Sequence, residues 1–230
     1  MDNLYCAQLD KGASAVPLDD DLRRHIAALR LRDGEYVRVL NGRGLIALCR
    51  TSRGMKELDL LVESEQMSAP PEPDVTVVLG VLDNRDRFEM AVEKLTELGV
   101  RRIVPLVCDR GQHLRSSFDR LQSKAVAAMT QSGNPFLPVI DAPTTMDALD
   151  LAGALVIVGD ADGDQCHADA ERVRTARRIV VVIGPEGGLS ERELNVLRND
   201  AAARLWRIGS LRLRAETAAV AMASVVRSML

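Results

Sequence analysis

The chain has 230 residues, enough for one large domain or for a small module beside a medium one, with a real core in either case. Hydrophobic residues make up 47%, and 30 basic residues face 33 acidic ones. That balance excludes a protein that coats nucleic acid through a broad positive field, so any RNA contact has to come from local arginine clusters.

The opening residues, MDNLYCAQLD, are acidic early and contain no apolar run of the kind a secretory signal needs. The longest apolar stretches, Ile179 to Ile183 and Ala218 to Val226, fall well short of the roughly 20 residues that span a bilayer. A soluble cytoplasmic protein with no membrane partner is expected. Cys6, Cys49, Cys108 and Cys166 form no CxxC pair, and His25, His113 and His167 lack ligand spacing, so neither a metal site nor a disulfide framework is expected. Asp160 to Glu171 places acids at positions 1, 3, 5 and 12 of a calcium loop, but Gln165 stands where the sharp turn requires glycine. With 1 Trp, 2 Tyr and 3 Phe, extensive base stacking is not expected.

In chain order, Asp19 to Leu31 predicts a helix with Leu22, Ile26 and Leu29 at helical spacing. Glu35 to Leu40 and Leu45 to Arg50 are strand-like runs joined by the tight-turn sequence Asn41-Gly42-Arg43-Gly44. Residues 1–68 therefore read as a small β-rich module. Three prolines between Gln66 and Asp74 stiffen the chain and mark the boundary with a second domain, 74–230.

From Val75 onward strands alternate with helices, which predicts an α/β fold with a mostly parallel sheet covered on both faces. The expected strands are Val75 to Leu79, Arg102 to Val107, Leu137 to Ile140, Ala154 to Val158, Arg178 to Ile183 and Arg204 to Ile208. Helices are expected at Phe88 to Leu98, at Phe118 to Gln131 after a Ser116 cap, and at Met146 to Leu151 after Thr144. Two more are expected at Glu191 to Asn199, with Ser190 and Glu193 as a capping box, and at Glu216 to Met229.

Two loops carry the chemistry. In the first, the buried run Ile179 to Ile183 enters Gly184-Pro-Glu-Gly-Gly-Leu-Ser190, where glycines let backbone groups approach a flat ligand. The spacing is neither GxGxxG nor GxxxxGK[ST], so dinucleotide and P-loop chemistry are not supported. In the second, Ile208-Gly-Ser-Leu-Arg-Leu-Arg-Ala-Glu-Thr-Ala-Ala219 leads from a strand end past Arg212 and Arg214 to a helix start; taken alone, Glu216 and Thr217 there also suit capping.

The strand-GPEGGLSERE segment followed by LRLRAETAAVA resembles the RsmE family of SPOUT-class methyltransferases, which methylate N3 of a uridine in small-subunit ribosomal RNA. The similarity extends to Phe88 through Val100, to Pro105 and Arg110, to Gln131-Ser-Gly133, and to His25 through Arg32 followed by Gly34. It thus covers nearly the whole chain. Ser210 and Leu211 replace a usual Pro-Arg pair, Ala215 replaces a threonine, and Arg85 and Arg87 stand where lysines are usual.

The resemblance implies a SPOUT-type, mostly parallel sheet with a C-terminal trefoil knot, preceded by a PUA-like RNA-binding domain. It implies S-adenosylmethionine held by three loops: Val158 and Gly159; Ile183, Gly184, Pro185, Glu186, Gly187, Gly188 and Leu189; and Ile208, Gly209, Leu211, Leu213, Thr217 and Ala218. Arg214 is expected to stabilise charge on the uracil, with Glu216 orienting Arg214 or sharing in proton removal. His25, Arg30, Arg85, Arg87, Arg110, Gln131 and Arg212 are the expected RNA contacts. The partners implied are the small ribosomal subunit and a second copy of the chain. Another SPOUT activity, such as ribose 2′-O-methylation, and a non-catalytic RNA-binding homologue are the alternatives.

Overall fold

A computed structural model describes residues 1–54, 58–111, 116–199 and 201–230; His113 lies outside the described residues. The described chain divides into two compact units.

The first unit comprises Met1–Pro70 with Val126–Leu137. Its sheet runs in the order β1 (Asn3–Tyr5), β2 (Tyr36–Leu40), β3 (Leu45–Arg53), β4 (Leu58–Met67). β1 pairs parallel to β2, and the other pairings are antiparallel. The β2–β3 hairpin closes through Asn41, whose Oδ1 accepts the amides of Arg43 at 2.8 Å and Leu45 at 3.1 Å. Helix α1 (Asp20–Leu29) begins where the Asp19 carboxylate accepts the Leu22 amide, and it stops at Arg30, which is in the left-handed region. Leu22 and Ile26 of α1 join Val37, Val39, Leu45, Ala47 and Leu60 in one apolar core. β1 is only three residues long, and β4 carries Glu63 and Glu65 on exposed positions, so neither announces itself by alternation.

The second unit comprises Pro71–Ala125 with Pro138–Leu230. Its strands are β5 (Asp74–Gly80), β6 (Arg102–Val107), β7 (Val139–Ile140), β8 (Thr144–Thr145), β9 (Leu155–Gln165), β10 (Arg178–Ile183) and β11 (Arg204–Arg207). They order as β11-β9-β10-β5-β6-β7, with β8 beside β6, and every pairing is parallel. The helices are α2 (Arg85–Glu97), α3 (Phe118–Ser132, divided between the units), α4 (Ala170–Thr175), α5 (Glu191–Asn199) and α6 (Ala215–Ser228). Both sheet faces are buried, as continuous β-branched runs require. Val78, Val156, Val158, Val180 and Val182 pack with Leu189 and Leu197 on one side. The alternate residues Val77, Ile157 and Val181 are equally buried, and α6 packs against β5, β10 and α2.

Several expectations change, among them the strand expected at Ala154 to Val158, which runs Leu155–Gln165, and that at Leu137 to Ile140, which shortens to Val139–Ile140. Met146 to Leu151 forms only a 3₁₀ turn, Met146–Ala148, preceded by Thr145 instead of Thr144. Asp150 supplies the reason: its carboxylate accepts the Ala152 amide and the Arg178 guanidinium, local bonds that compete with helix. At α3 the Arg120 amide donates to Ser117 Oγ, so Ser117 takes the capping position, while Ser116 donates to Glu89. α2 starts at Arg85, ahead of Phe88, because Asn84 Oδ1 accepts the amides of Asp86 and Arg87.

Candidate active site

Three strand ends meet at the carboxyl edge of the parallel sheet, the favoured place for a ligand in such folds. β9 and β11 stay in register to Val158 and Leu205, and then Trp206 pairs with Asp164. The intervening residues of β9 are thrown out of the ladder, and Gly159, Asp160 and Ala161 become pocket wall. β10 ends at Ile183 and turns through the glycine loop into α5. That helix carries a reciprocal cap: the Ser190 amide donates to Glu193 Oε2 at 2.7 Å, and the Glu193 amide to Ser190 Oγ at 3.2 Å. β11 ends at Arg207 and runs through Leu211 to Arg214 into α6.

The walls enclose a cavity of about 550 Å³, within the range of about 300–1,000 Å³ common for small-molecule sites. Ile183, Leu189, Leu194, Trp206 and Met222 supply apolar surface suited to a flat ring, while Gly159, Gly184 and Gly188 leave backbone open to it. Gly188 has φ +72° and faces open space, so the loop keeps a bare backbone there.

Charge gathers on one side of the cavity. Glu186 Oε2 accepts the Asp83 amide at 3.4 Å, whereas Glu186 Oε1 and Glu216 Oε2 are buried oxygens with no hydrogen-bond partner. Glu216 is only 4% exposed, and its ion pair is with Arg87, Nε to Oε1 at 3.7 Å. A donor-bearing or cationic ligand suits such a site.

The surrounding braces are strong. Asp109 is gripped by Arg192 at 2.8 Å and by Ser190 Oγ at 2.6 Å, which lowers its carboxyl to about 2. Arg120 and Ser116 hold Glu89, at 2.5 and 2.8 Å, and keep its carboxyl below the usual range. Burial pushes the Cys49 and Cys108 thiols up to about 12, which keeps them protonated and unreactive near neutral pH. Among the described residues, no three His, Cys, Asp or Glu side chains gather to hold a metal, and no helix is long and apolar enough to cross a membrane.

Of the residues expected around a cofactor, Gly159, Ile183, Gly184, Pro185, Glu186, Gly188, Leu189, Ile208, Leu211, Leu213 and Ala218 line this cavity. Val158 is fully buried in the sheet behind it. Gly187, Gly209 and Thr217 sit in the same loops but off the cavity wall. Arg214 and Arg212 line the cavity, as does Arg87, which sequence similarity had suggested for RNA. Arg110 donates to the Leu189 carbonyl at 3.4 Å and its backbone backs Gly187. Arg85 pairs with Glu89 at 3.5 Å, and His25, Arg30 and Gln131 are exposed.

Sequence reasoning passed over Asp160, Ala161, Leu194, Trp206, Arg207, Ala215 and Met222. One of these had a readable signal: Met222 is one helical turn beyond Ala218.

A family model described as an RNA methyltransferase domain matches residues 70–227. The ribosomal RNA small subunit methyltransferase E of Mycobacterium bovis is 32% identical, over 94% of this chain and 87% of its own length. That of Rickettsia conorii is 26% identical, over 93% and 90%. Among solved structures, the Neisseria gonorrhoeae methyltransferase E bound to S-adenosyl methionine superposes with a TM-score of 0.87 at 23% identity, covering 99% of this chain and 97% of that one. The likeness in fold spans both units, and the sequence match reaches across the glycine loop and the start of α6. The chain therefore belongs to the RNA methyltransferase domain family and, within it, to the ribosomal RNA small subunit methyltransferase E family.

Proposed function

We propose that this protein transfers the methyl group of S-adenosylmethionine to N3 of a uridine in small-subunit ribosomal RNA. The observation that carries the reading is the meeting of Gly159, Ile183 to Leu189 and Ile208 to Ala218 round one cavity of about 550 Å³. When bound, the cofactor supplies an electrophilic methyl group on a sulfonium. The chain has two remaining tasks: alignment and removal of the uracil imide proton.

Ile183, Leu189, Leu194 and Met222 suit the adenine ring, and the glycines admit backbone contacts to it. Glu186 offers an acceptor to the cationic end of the cofactor. Arg214, on the cavity wall, is the group for negative charge developing on the uracil oxygens. Glu216, buried in the first turn of α6 with a free oxygen, takes part in removing the N3 proton. His25, Arg30, Arg85, Arg110, Gln131 and Arg212 serve as RNA contacts, and a homodimer in the cytoplasm acting on the small subunit completes the reading.

The test is transfer of labelled methyl from S-adenosylmethionine to small subunits from a strain lacking this protein, followed by nucleoside mass spectrometry. 3-Methyluridine is expected, with Arg214→Ala losing most turnover. A ribose methyl would move the assignment to another SPOUT activity, and cofactor binding without transfer to a non-catalytic homologue.

A further inference from the structure

Arg87 lies on the first turn of α2, where the Asn84 cap fixes the helix start. Its guanidinium stands between two carboxylates carried by different loops. Nη1 is 3.9 Å from Glu186 Oε1, and Nε is 3.7 Å from Glu216 Oε1. Both are ion-pair separations, longer than hydrogen bonds. The guanidinium therefore compensates both acids without saturating either, and Glu186 Oε1 and Glu216 Oε2 keep buried, unfilled acceptor capacity. Arg85, two positions earlier, behaves differently: it is about half-exposed and faces Glu89 and Asp86.

We propose that Arg87 is a positioning residue for methyl transfer, tying Glu186 of the glycine loop to Glu216 at the start of α6 and holding the Glu216 carboxylate in place. The inference rests on the methyltransferase reading above. Three segments distant in sequence converge on this one side chain: the turn after β5, the loop after β10 and the start of α6. Removing the cation leaves both acids without it, one of them buried, and a buried charge without its partner relaxes toward solvent or toward another donor. Glu216 then leaves its place even though its own chemistry is intact.

The test uses the full-length wild type, Arg87→Met, Glu216→Gln and the double variant. S-adenosylmethionine affinity is measured by calorimetry, thermal midpoint without ligand, and kcat and KM on small subunits. Arg87→Met is expected to lower kcat about tenfold, and to cost at most about twofold once Glu216→Gln is present. KM for the subunit should stay within about twofold, the spread expected for independent sites. Arg87→Lys keeps the charge without the planar fork and should recover part of the loss. The thermal midpoints of the four proteins should likewise be non-additive. Additive effects in turnover and midpoint would overturn the proposal. So would a rise in KM with kcat unchanged, which makes Arg87 a phosphate contact. A wild type that does not bind the sulfonium donor sinks the methyltransferase reading and this inference with it; a wild type that binds, with additive substitutions, sinks the positioning role alone.

Discussion

Asp169 accepts the indole N–H of Trp206 at 2.8 Å, with Asp169 2% exposed and Trp206 wholly enclosed. The same carboxylate takes Arg204 Nε at 3.1 Å from both oxygens, so one acid holds two residues of β11. Asp169→Ala strands the buried indole donor, whereas Arg204, 39% exposed, falls back on water. A loss of about 2 kcal/mol in urea unfolding is expected, the usual cost of a buried donor left without its acceptor. Asp169→Asn, which keeps one acceptor, should lose less; equal losses would argue against the hydrogen bonds.

Trp206 is the chain's single tryptophan and lines the cavity. Its emission should be blue-shifted in the free protein and should change, saturably, as S-adenosylmethionine is titrated in. Emission that ignores the cofactor, while calorimetry shows binding, would place the ligand elsewhere.

Gly80 and Gly188 should respond to alanine for opposite reasons. A Cβ on Gly80 would lie 2.4 Å from the Pro185 nitrogen and 2.5 Å from its ring, so the glycine loop must shift. Overpacking of that kind costs about 1–3 kcal/mol and should also weaken cofactor affinity. At Gly188 there is space, and the cost is the left-handed φ of +72°, about 1–2 kcal/mol. Calorimetry beside thermal unfolding separates the two: Gly80→Ala should weaken binding more than Gly188→Ala.

Asp109 brings a pH dependence. Its carboxyl lies at about 2 against an ordinary 3.8, through the bonds from Arg192 and Ser190. A depressed folded-state value means that the carboxylate stabilises the fold above about pH 4 and that this contribution disappears as pH falls toward 2. The difference in thermal midpoint between wild type and Asp109→Asn should therefore be full at neutral pH and close on acidification across that window. A gap that persists at pH 2 would contradict the assignment.

The sequence revealed most where a local rule applies. Arg102 to Val107 and Arg178 to Ile183 were legible to the residue, because a strand buried on both faces is a short, nearly continuous apolar run. α5 was legible from its capping box. The site was half legible: the glycine loop and the start of α6 stand out as motifs, whereas the wall at Asp160 and Ala161 arises from a register jump between β9 and β11. Periodicity carries no trace of such a jump. The Arg87 and Glu216 pair, and the Asp169 and Trp206 pair, join positions far apart in the chain, and side-chain partners at that range leave no local pattern.

The first unit takes its last piece from residues 126–137. The Asn3 side chain donates to the Thr130 carbonyl at 2.6 Å, the Gly44 amide to Pro135 at 2.9 Å and the Leu137 amide to Gly42 at 3.0 Å. During synthesis the hairpin turn at Gly42 and Gly44 therefore waits for residue 137 before its backbone is fully bonded. A fragment ending at Pro70 would leave those groups to water, so this module matures only after β5 and β6 of the second sheet have been made.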